Sequence, residues 1–216
     1  MISEIFTVTN LKFLFDGLKI TIFMALATII ISCIFGTILG VIRNYNKGIL
    51  EKLAAVYIEI FRNTPLLLWI LAIRFLVPIK PLASGILSLS LFTTAIVAEI
   101  VRGGLRSVKT GQMEAGLSQG FSKFQVLIYI ILPQGFKNMV PALLSQVTTI
   151  IKDTAFLWVV GIEDFTGKGM ILMGQFRTSA EVFTMFGFLA ATYFIINFLI
   201  SYIVRRKQRA KISYSL

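Results

Sequence analysis

The chain has 216 residues, of which 56% are apolar and only 14% charged, with a formal net charge of +11 and no histidine. Soluble domains carry about 25% charged residues, so too little charge is present to clothe a water-facing surface, and lipid is the expected solvent. The absence of histidine excludes His-based acid–base chemistry and His-ligated metal sites, and a lone cysteine, Cys33, excludes an intrachain disulfide.

Residues 1–19 are expected to form an external N-terminal segment. Glu4, Lys12, Asp16 and Lys19 are spread along it without a basic n-region, and the next apolar run, Ile20–Ile42, has spanning rather than secretory length. Crossing a hydrocarbon core of about 30 Å takes roughly 20 helical residues. Beyond 20–42, four further runs qualify: 56–77, 85–101, 140–160 and 182–204. The second begins near Val56 because Pro65–Val77 alone is too short, which draws Glu59 and Arg62 into its first turns. Backbone polar groups must be satisfied inside lipid, so the spans are helices. The reading is an all-α polytopic membrane protein of about five spans, with one transmembrane domain over 20–204 and a basic tail over 205–216.

Lys and Arg are distributed unevenly between alternate connections. Fourteen fall at 43–62, 102–137 and 205–211, against six on the other side, with Lys152 inside a span. Basic residues mark the cytoplasmic face, which places the N-terminus outside and the C-terminus in the cytoplasm, as five spans require. Basic residues set between apolar runs, rather than on a solvated face beside aromatics, also argue against a nucleic-acid binder.

The longest connection, 102–139, is then cytoplasmic. Met113, Leu117, Phe121 and Phe124 recur at helical spacing and predict one apolar face, with Gly111 before the helix and Pro133 disfavouring its unbroken continuation. Such a helix suits either lipid headgroups or a docked partner.

Charges inside spans demand a reason. Lys152 and Asp153 sit near the middle of 140–160, where each costs ~2.5–3.5 kcal/mol on translocon scales. Gln146, Thr149 and Asp153 recur at i, i+3 and i+7 on one face. Lys152 and Asp153 either line a wet pathway, meeting the two charges of a zwitterion, or pair across helices. Glu59/Arg62 and Glu99/Arg102 are each i, i+3 pairs near cytoplasmic span ends, readable as an inner gate or brace, or more simply as helix-end neutralisation with snorkelling Arg. Pro65 and Pro141 are read as helix-start prolines. Gly161–Gly169 lacks the spacing and the hydroxyl residue of a phosphate-binding loop, so this chain is not expected to bind nucleotide or act as an enzyme.

Glu114-Ala115-Gly116, then Gly120, Ile130, Leu132 and Pro133, resembles the EAA-type cytoplasmic loop of bacterial ABC-importer permeases, with Gly116 at the usual third Ala. Phe61-Arg62-Asn63-Thr64-Pro65-Leu66-Leu67, Ala98-Glu99-Ile100-Val101-Arg102-Gly103-Gly104 and Lys152-Asp153-Thr154 are similar to segments of the polar-amino-acid permeases of the histidine/glutamine/arginine type, in the same order from Phe61 to Phe156. Asn63 and Ala155 depart from that pattern.

The resemblance implies a type I ABC importer permease in the bacterial cytoplasmic (inner) membrane. Two permease subunits, identical or paralogous, form the pathway. Two cytoplasmic ATPase subunits carry ATP and Mg, and an external solute-binding protein delivers a polar amino acid. Glu114, Ala115, Gly116, Leu117, Gly120 and Phe121 fall in the helix, Glu114–Phe124, that couples to the ATPase. Gln146, Thr149, Lys152, Asp153 and Thr154 become pathway candidates, and Glu59, Arg62, Glu99 and Arg102 gate or brace candidates. External Glu163, Asp164, Lys168, Arg177 and Glu181 are candidate contacts for the binding protein, or more simply the charged residues of a solvated loop. The alternative is an ion-gradient-driven secondary amino-acid carrier, disfavoured by the absence of a visible inverted repeat.

Overall fold

A computed structural model of the chain describes residues 5–213, with side chains described to residue 206. Residues 1–4 of the N-terminal segment, and the side chains of Lys207, Arg209 and Lys211 in the basic tail, lie outside the described residues. The described chain is helical: α1 (Val8–Tyr45), α2 (Ile49–Arg62), α3 (Leu66–Leu76), α4 (Pro81–Arg106), α5 (Thr110–Ser118), α6 (Lys123–Val126), α7 (Leu132–Asp153), α8 (Phe165–Met173) and α9 (Ser179–Ser213). A π segment, Leu127–Ile131, leads into α7, and a 3₁₀ segment, Thr154–Val160, comes after it.

Among the described residues, four stretches are long and apolar enough to span a membrane: Val8–Tyr45, Pro81–Arg106, Lys123–Val160 and Ser179–Arg206. The expected span 56–77 is instead two helices, α2 and α3, meeting at 104°. Pro65 supplies no backbone N–H and biases Thr64 away from helix, while Asn63 closes α2 by donating its side-chain amide to the Glu59 carbonyl at 2.8 Å.

Other boundaries move outward. The first helix begins at Val8 rather than Ile20, and the last runs on to Ser213 through the expected tail. Pro141 lies inside α7, not at a helix start. Pro133 does not break the chain either. The π turn before it carries the register from i−4 to i−5, with the Leu132 amide donating to the Leu127 carbonyl, a local widening that accommodates the proline ring.

The chain divides into two compact units. The first comprises residues 1–29, 66–89 and 147–216. Its core joins Leu14 to Phe165, Leu172, Met185 and Leu189, and Met24 to Ile70, Leu89, Leu157 and Ile162. Thr178 and Glu181 form a reciprocal cap that starts α9, the Thr178 amide donating to the Glu181 carboxylate at 2.9 Å and the Glu181 amide to the Thr178 hydroxyl at 3.3 Å. Phe23, Phe75, Phe183 and Phe194 are all more than half exposed, as expected of faces turned to lipid.

The second unit comprises residues 30–65 and 90–146. Here α1 and α4 approach through a Gly-x-x-x-Gly pair. A Cβ on Gly36 would come within 2.6 Å of Val97 Cγ1, and one on Gly40 within 2.6 Å of the Ala98 carbonyl oxygen. Small residues let two backbones close to this distance, and dispersion over the seam replaces the hydrophobic drive that lipid does not supply. Val97, Val101, Leu105, Val126, Ile131 and Met139 complete the core.

Because neither glycine has room for a side chain, Gly40→Leu is expected to lower thermal stability by roughly 1–3 kcal/mol through overpacking. Unfolding of the detergent-purified protein measures it, with the lipid-facing substitution Phe35→Leu as the neutral reference.

Candidate functional site

The second unit contains the densest charge cluster among the described residues. Glu99 on α4 accepts from Arg43 Nη1 at 2.5 Å, from Arg102 Nε and Nη2 at 2.8 and 2.6 Å, and stands 3.4 Å from Arg62 Nη1. Arg43 also donates to Glu59 at 2.8 Å, and Glu59 in turn receives the Asn63 amide at 3.1 Å.

The sequence placed Glu59, Arg62, Glu99 and Arg102 in two local pairs. Structurally they form one network, and its central cation, Arg43, comes from α1, 56 residues away from Glu99. No local spacing announces Arg43. Only its position at the end of the Gly36/Gly40 seam puts it beside α4. Side chains of Glu99 and Arg43 are 13% and 17% exposed, so these charges are largely withdrawn from water and depend on each other.

One turn beyond, Arg106 Nε donates to Asn44 Oδ1 at 3.2 Å. After α4 the chain turns directly into α5, which carries the EAA-like residues. The expected continuous helix over Glu114–Phe124 is not what forms. α5 stops at Ser118, and Gly120 adopts the left-handed conformation, φ 85°. The Phe121 amide returns to the Gly116 carbonyl at 3.2 Å and the Gly120 amide to Leu117 at 3.0 Å, a Schellman closure that favours glycine at position 120. Ser122 then starts α6 with a capping box, its hydroxyl accepting from the Gln125 amide at 3.2 Å while the Gln125 side chain accepts from the Ser122 amide at 2.8 Å.

Gly116 is buried, and a Cβ there would meet Val126 Cγ2 at 2.7 Å and Ile130 Cδ1 at 3.0 Å, which accounts for glycine where alanine is usual. Leu117, Phe121 and Phe124 are 39%, 41% and 70% exposed, and Glu114 and Ala115 are exposed. Met113, expected on the same face, packs on the core instead. Gly111 lies within α5, not before it.

Along α7, Gln146 is 9% exposed and its Nε2 has no hydrogen-bond partner among the described residues. Lys152 is exposed and Asp153 half-buried. Consecutive on one helix, they project roughly 100° apart, and among the described residues they form no ion pair with each other. Thr154 is fully buried and donates its hydroxyl to the Ile151 carbonyl at 2.9 Å, so it does not present a polar group to an open pathway.

The first unit buries a second polar group. Asp164 is fully buried, caps α8 by accepting the Gly167 amide at 2.8 Å, and accepts the Thr21 hydroxyl at 3.3 Å; Thr21 in turn accepts the Phe165 amide at 3.1 Å. Burial pushes its carboxyl up to about 6, a rise opposed by the Gly167 and Thr21 hydrogen bonds. Lys168 is only 8% exposed, its ammonium 4.2 Å from the Phe13 ring centroid. Asp164 and Lys168 are therefore structural, not surface contacts as their loop position suggested, and the Glu181 carboxylate is taken up by its cap. Glu163 and Arg177 remain exposed. Among the described residues no cluster of acidic or thiol groups suits a metal ion.

Residues 29–211 match the family of binding-protein-dependent transport system inner membrane components, and the chain belongs to that family of ABC-importer permeases. It is 36% identical over 202 residues to the Bacillus subtilis (strain 168) protein named "Probable glutamine ABC transporter permease protein GlnP", covering 91% of this chain and 93% of that one. It is 32% identical over 216 residues to the glutamate/aspartate import permease protein GltK of Escherichia coli O157:H7, covering 92% and 95%. Among solved structures it resembles an amino acid ABC transporter crystallised with histidines, at a TM-score of 0.85 and 28% identity, covering 94% of this chain and 96% of that one. The chain is a transport subunit of the bacterial inner membrane and not itself the ATPase.

Removing Glu99 leaves three guanidinium groups facing one another. Glu99→Ala is expected to cost roughly 2–4 kcal/mol, somewhat less than a fully buried pair because Arg62 is 42% exposed. Thermal unfolding in detergent reports it, and Glu99→Gln is expected to recover part of the loss by keeping an acceptor.

The raised Asp164 value means that the folded state holds this proton more tightly than the unfolded chain. Its contribution is fully present below about pH 4 and is lost as pH rises through about 6. Asp164→Asn is expected to flatten that part of a Tm-against-pH curve. An unchanged slope between about pH 4 and 6 would refute the assignment.

Proposed function

We propose that this chain forms the translocation pathway of an ATP-driven importer of polar amino acids, and that partner ATPase subunits drive it through the segment from Glu114 to Phe121. The single observation that supports this most is the make-up of that segment. Its inner side is anchored by Gly116 against Val126 and Ile130, its end is closed by Gly120, and its outer side leaves Leu117 and Phe121 about two-fifths exposed. Apolar side chains on a short, rigid, solvent-side helix are what a partner's cleft requires. The relatives' names, glutamine in one case and glutamate/aspartate in another, support a polar amino acid without choosing one.

The assembly implied is two permease subunits, two cytoplasmic ATPases that bind ATP and Mg, and an external solute-binding protein. The N-terminus lies outside and residues 102–139 face the cytoplasm, the orientation that the Lys/Arg bias supports. A single membrane domain over 20–204 then carries the pathway. The broken pair α2–α3 serves as one crossing, and residues 205–216 form a basic cytoplasmic end.

Gln146, Thr149, Lys152 and Asp153 line the route for a zwitterion. Gln146 Nε2 supports this reading, because a buried amide donor lacking a partner among the described residues suits an acceptor on a transient ligand. Glu99 with Arg43, Arg62, Arg102 and Glu59 braces the inner ends of α1, α2 and α4, so that force arriving at α5 moves them together.

Leu117→Asp with Phe121→Asp is expected to abolish ATP-dependent uptake in proteoliposomes containing the ATPase and binding protein, and to release the ATPase on gel filtration, with membrane insertion unchanged. Uptake that survives these changes would overturn the coupling role. Uptake that persists with the ATPase removed would overturn the ATP-driven reading itself.

A further inference from the structure

Helix α1 is 38 residues long, about 57 Å at 1.5 Å per residue, well beyond a hydrocarbon core of about 30 Å. The surplus lies at its N-terminal end, ahead of the apolar run Ile20–Ile42, and carries Lys12, Asp16 and Lys19 at i, i+4 and i+7 on one side of the helix. Beside these turns, within the first unit, is a groove of about 620 Å³. Leu11, Phe15 and Leu18 of α1, Phe165 of α8 and Phe188 of α9 make its walls, and the three charged residues stand at its mouth.

The chemistry of this groove is divided. Its interior offers almost nothing polar: the hydroxyl of Thr192 is the wall's one side-chain polar group away from the mouth, and it is spent on the Phe188 carbonyl at 2.8 Å. A hydrated solute would lose its water there without replacement. At the mouth, Lys19 donates to Asp16 at 2.8 Å, so that pair is neutral as a unit. Lys12 is exposed and has no carboxylate partner among the described residues. One uncompensated ammonium therefore stands over an apolar slot of a size that holds ligands elsewhere.

We propose that this groove is a binding site for an anionic phospholipid, with an acyl chain between α1 and the Phe165 and Phe188 rings and the phosphate at Lys12. A single Lys at a membrane surface favours anionic lipid by about fivefold, and that preference is the signature of the site. The site requires only that α1 lies in the membrane. It stands whether or not the ATP-coupling reading holds, and on either side of the bilayer.

Native mass spectrometry of the purified full-length permease tests it, titrating phosphatidylglycerol, phosphatidylcholine of the same acyl chains, and chain-free glycerol phosphate. Phosphatidylglycerol is expected to be retained about fivefold over phosphatidylcholine. Lys12→Gln should erase that preference and Lys12→Arg should keep it. Thr192→Trp, which narrows the slot, should reduce retention of both lipids. Lys12 makes no ion pair among the described residues, so unchanged unfolding of the Gln variant verifies that the fold is intact. Equal retention of the two lipids by the wild type, a preference untouched in Lys12→Gln, glycerol phosphate bound as well as the lipid, or a second copy of the chain covering the groove with lipid excluded would each overturn the proposal.

Discussion

The carboxylate of Glu99 is the point on which the second unit depends. A charge withdrawn from water is tolerated only where partners replace its hydration. Here the partners come from three separate stretches of chain: Arg43 at the end of α1, Arg62 at the end of α2, and Arg102 one turn along α4. The Gly36/Gly40 seam is what allows this. It brings the α1 and α4 backbones close enough for Arg43 to reach Glu99 at 2.5 Å. The seam supplies dispersion without direction, and the ion cluster supplies direction without much net energy. Together they define a single register of α1 on α4.

The segment after α4 obeys a similar economy. Residues Thr110–Val126 use two helix ends back to back, a Schellman closure at Gly120 and a capping box at Ser122, to turn the chain between Ser118 and Lys123 while satisfying backbone groups that would otherwise face solvent unpaired. Gly116 gives up side-chain volume so that α5 can sit against Val126 and Ile130. A helix that is short, pinned on one side and apolar on the other transmits displacement better than a long solvated one.

Burial within the protein also reshapes how polar residues are used in the first unit. Thr21, Asp164 and Gly167 form a closed knot in which each donor finds an acceptor, and the carboxyl of Asp164 caps a helix rather than facing the outside. Lys168 places its ammonium over Phe13 instead of in water. Both residues lie in a polar connection that reads as a solvated loop, and both are structural. Surface position in the chain and surface position in space separate most sharply where short helices such as α8 fold back onto longer ones.

Much was determined by the sequence alone: the helical membrane class, from an excess of apolar residues that water cannot accommodate; the spans built on Ile20–Ile42 and on 182–204, from apolar length; the permease family, from the ordered motifs between Phe61 and Phe156; and the i, i+3 spacing of Glu59 with Arg62 and of Glu99 with Arg102, from which charge pairing at helix ends is read. Local patterns carry these because they reflect transfer free energies and backbone propensities of neighbouring residues. Only the tertiary structure decided that two i, i+3 pairs are one cluster centred on Glu99 with Arg43 added, that α2 and α3 meet at 104°, that the 113–124 stretch is two helices rather than one, and that Thr154, Asp164 and Lys168 are buried. Each of these turns on which distant backbone comes near. That is set by close packing at positions such as Gly36, Gly40 and Gly116, where the informative feature is a missing side chain whose neighbour no local spacing reveals.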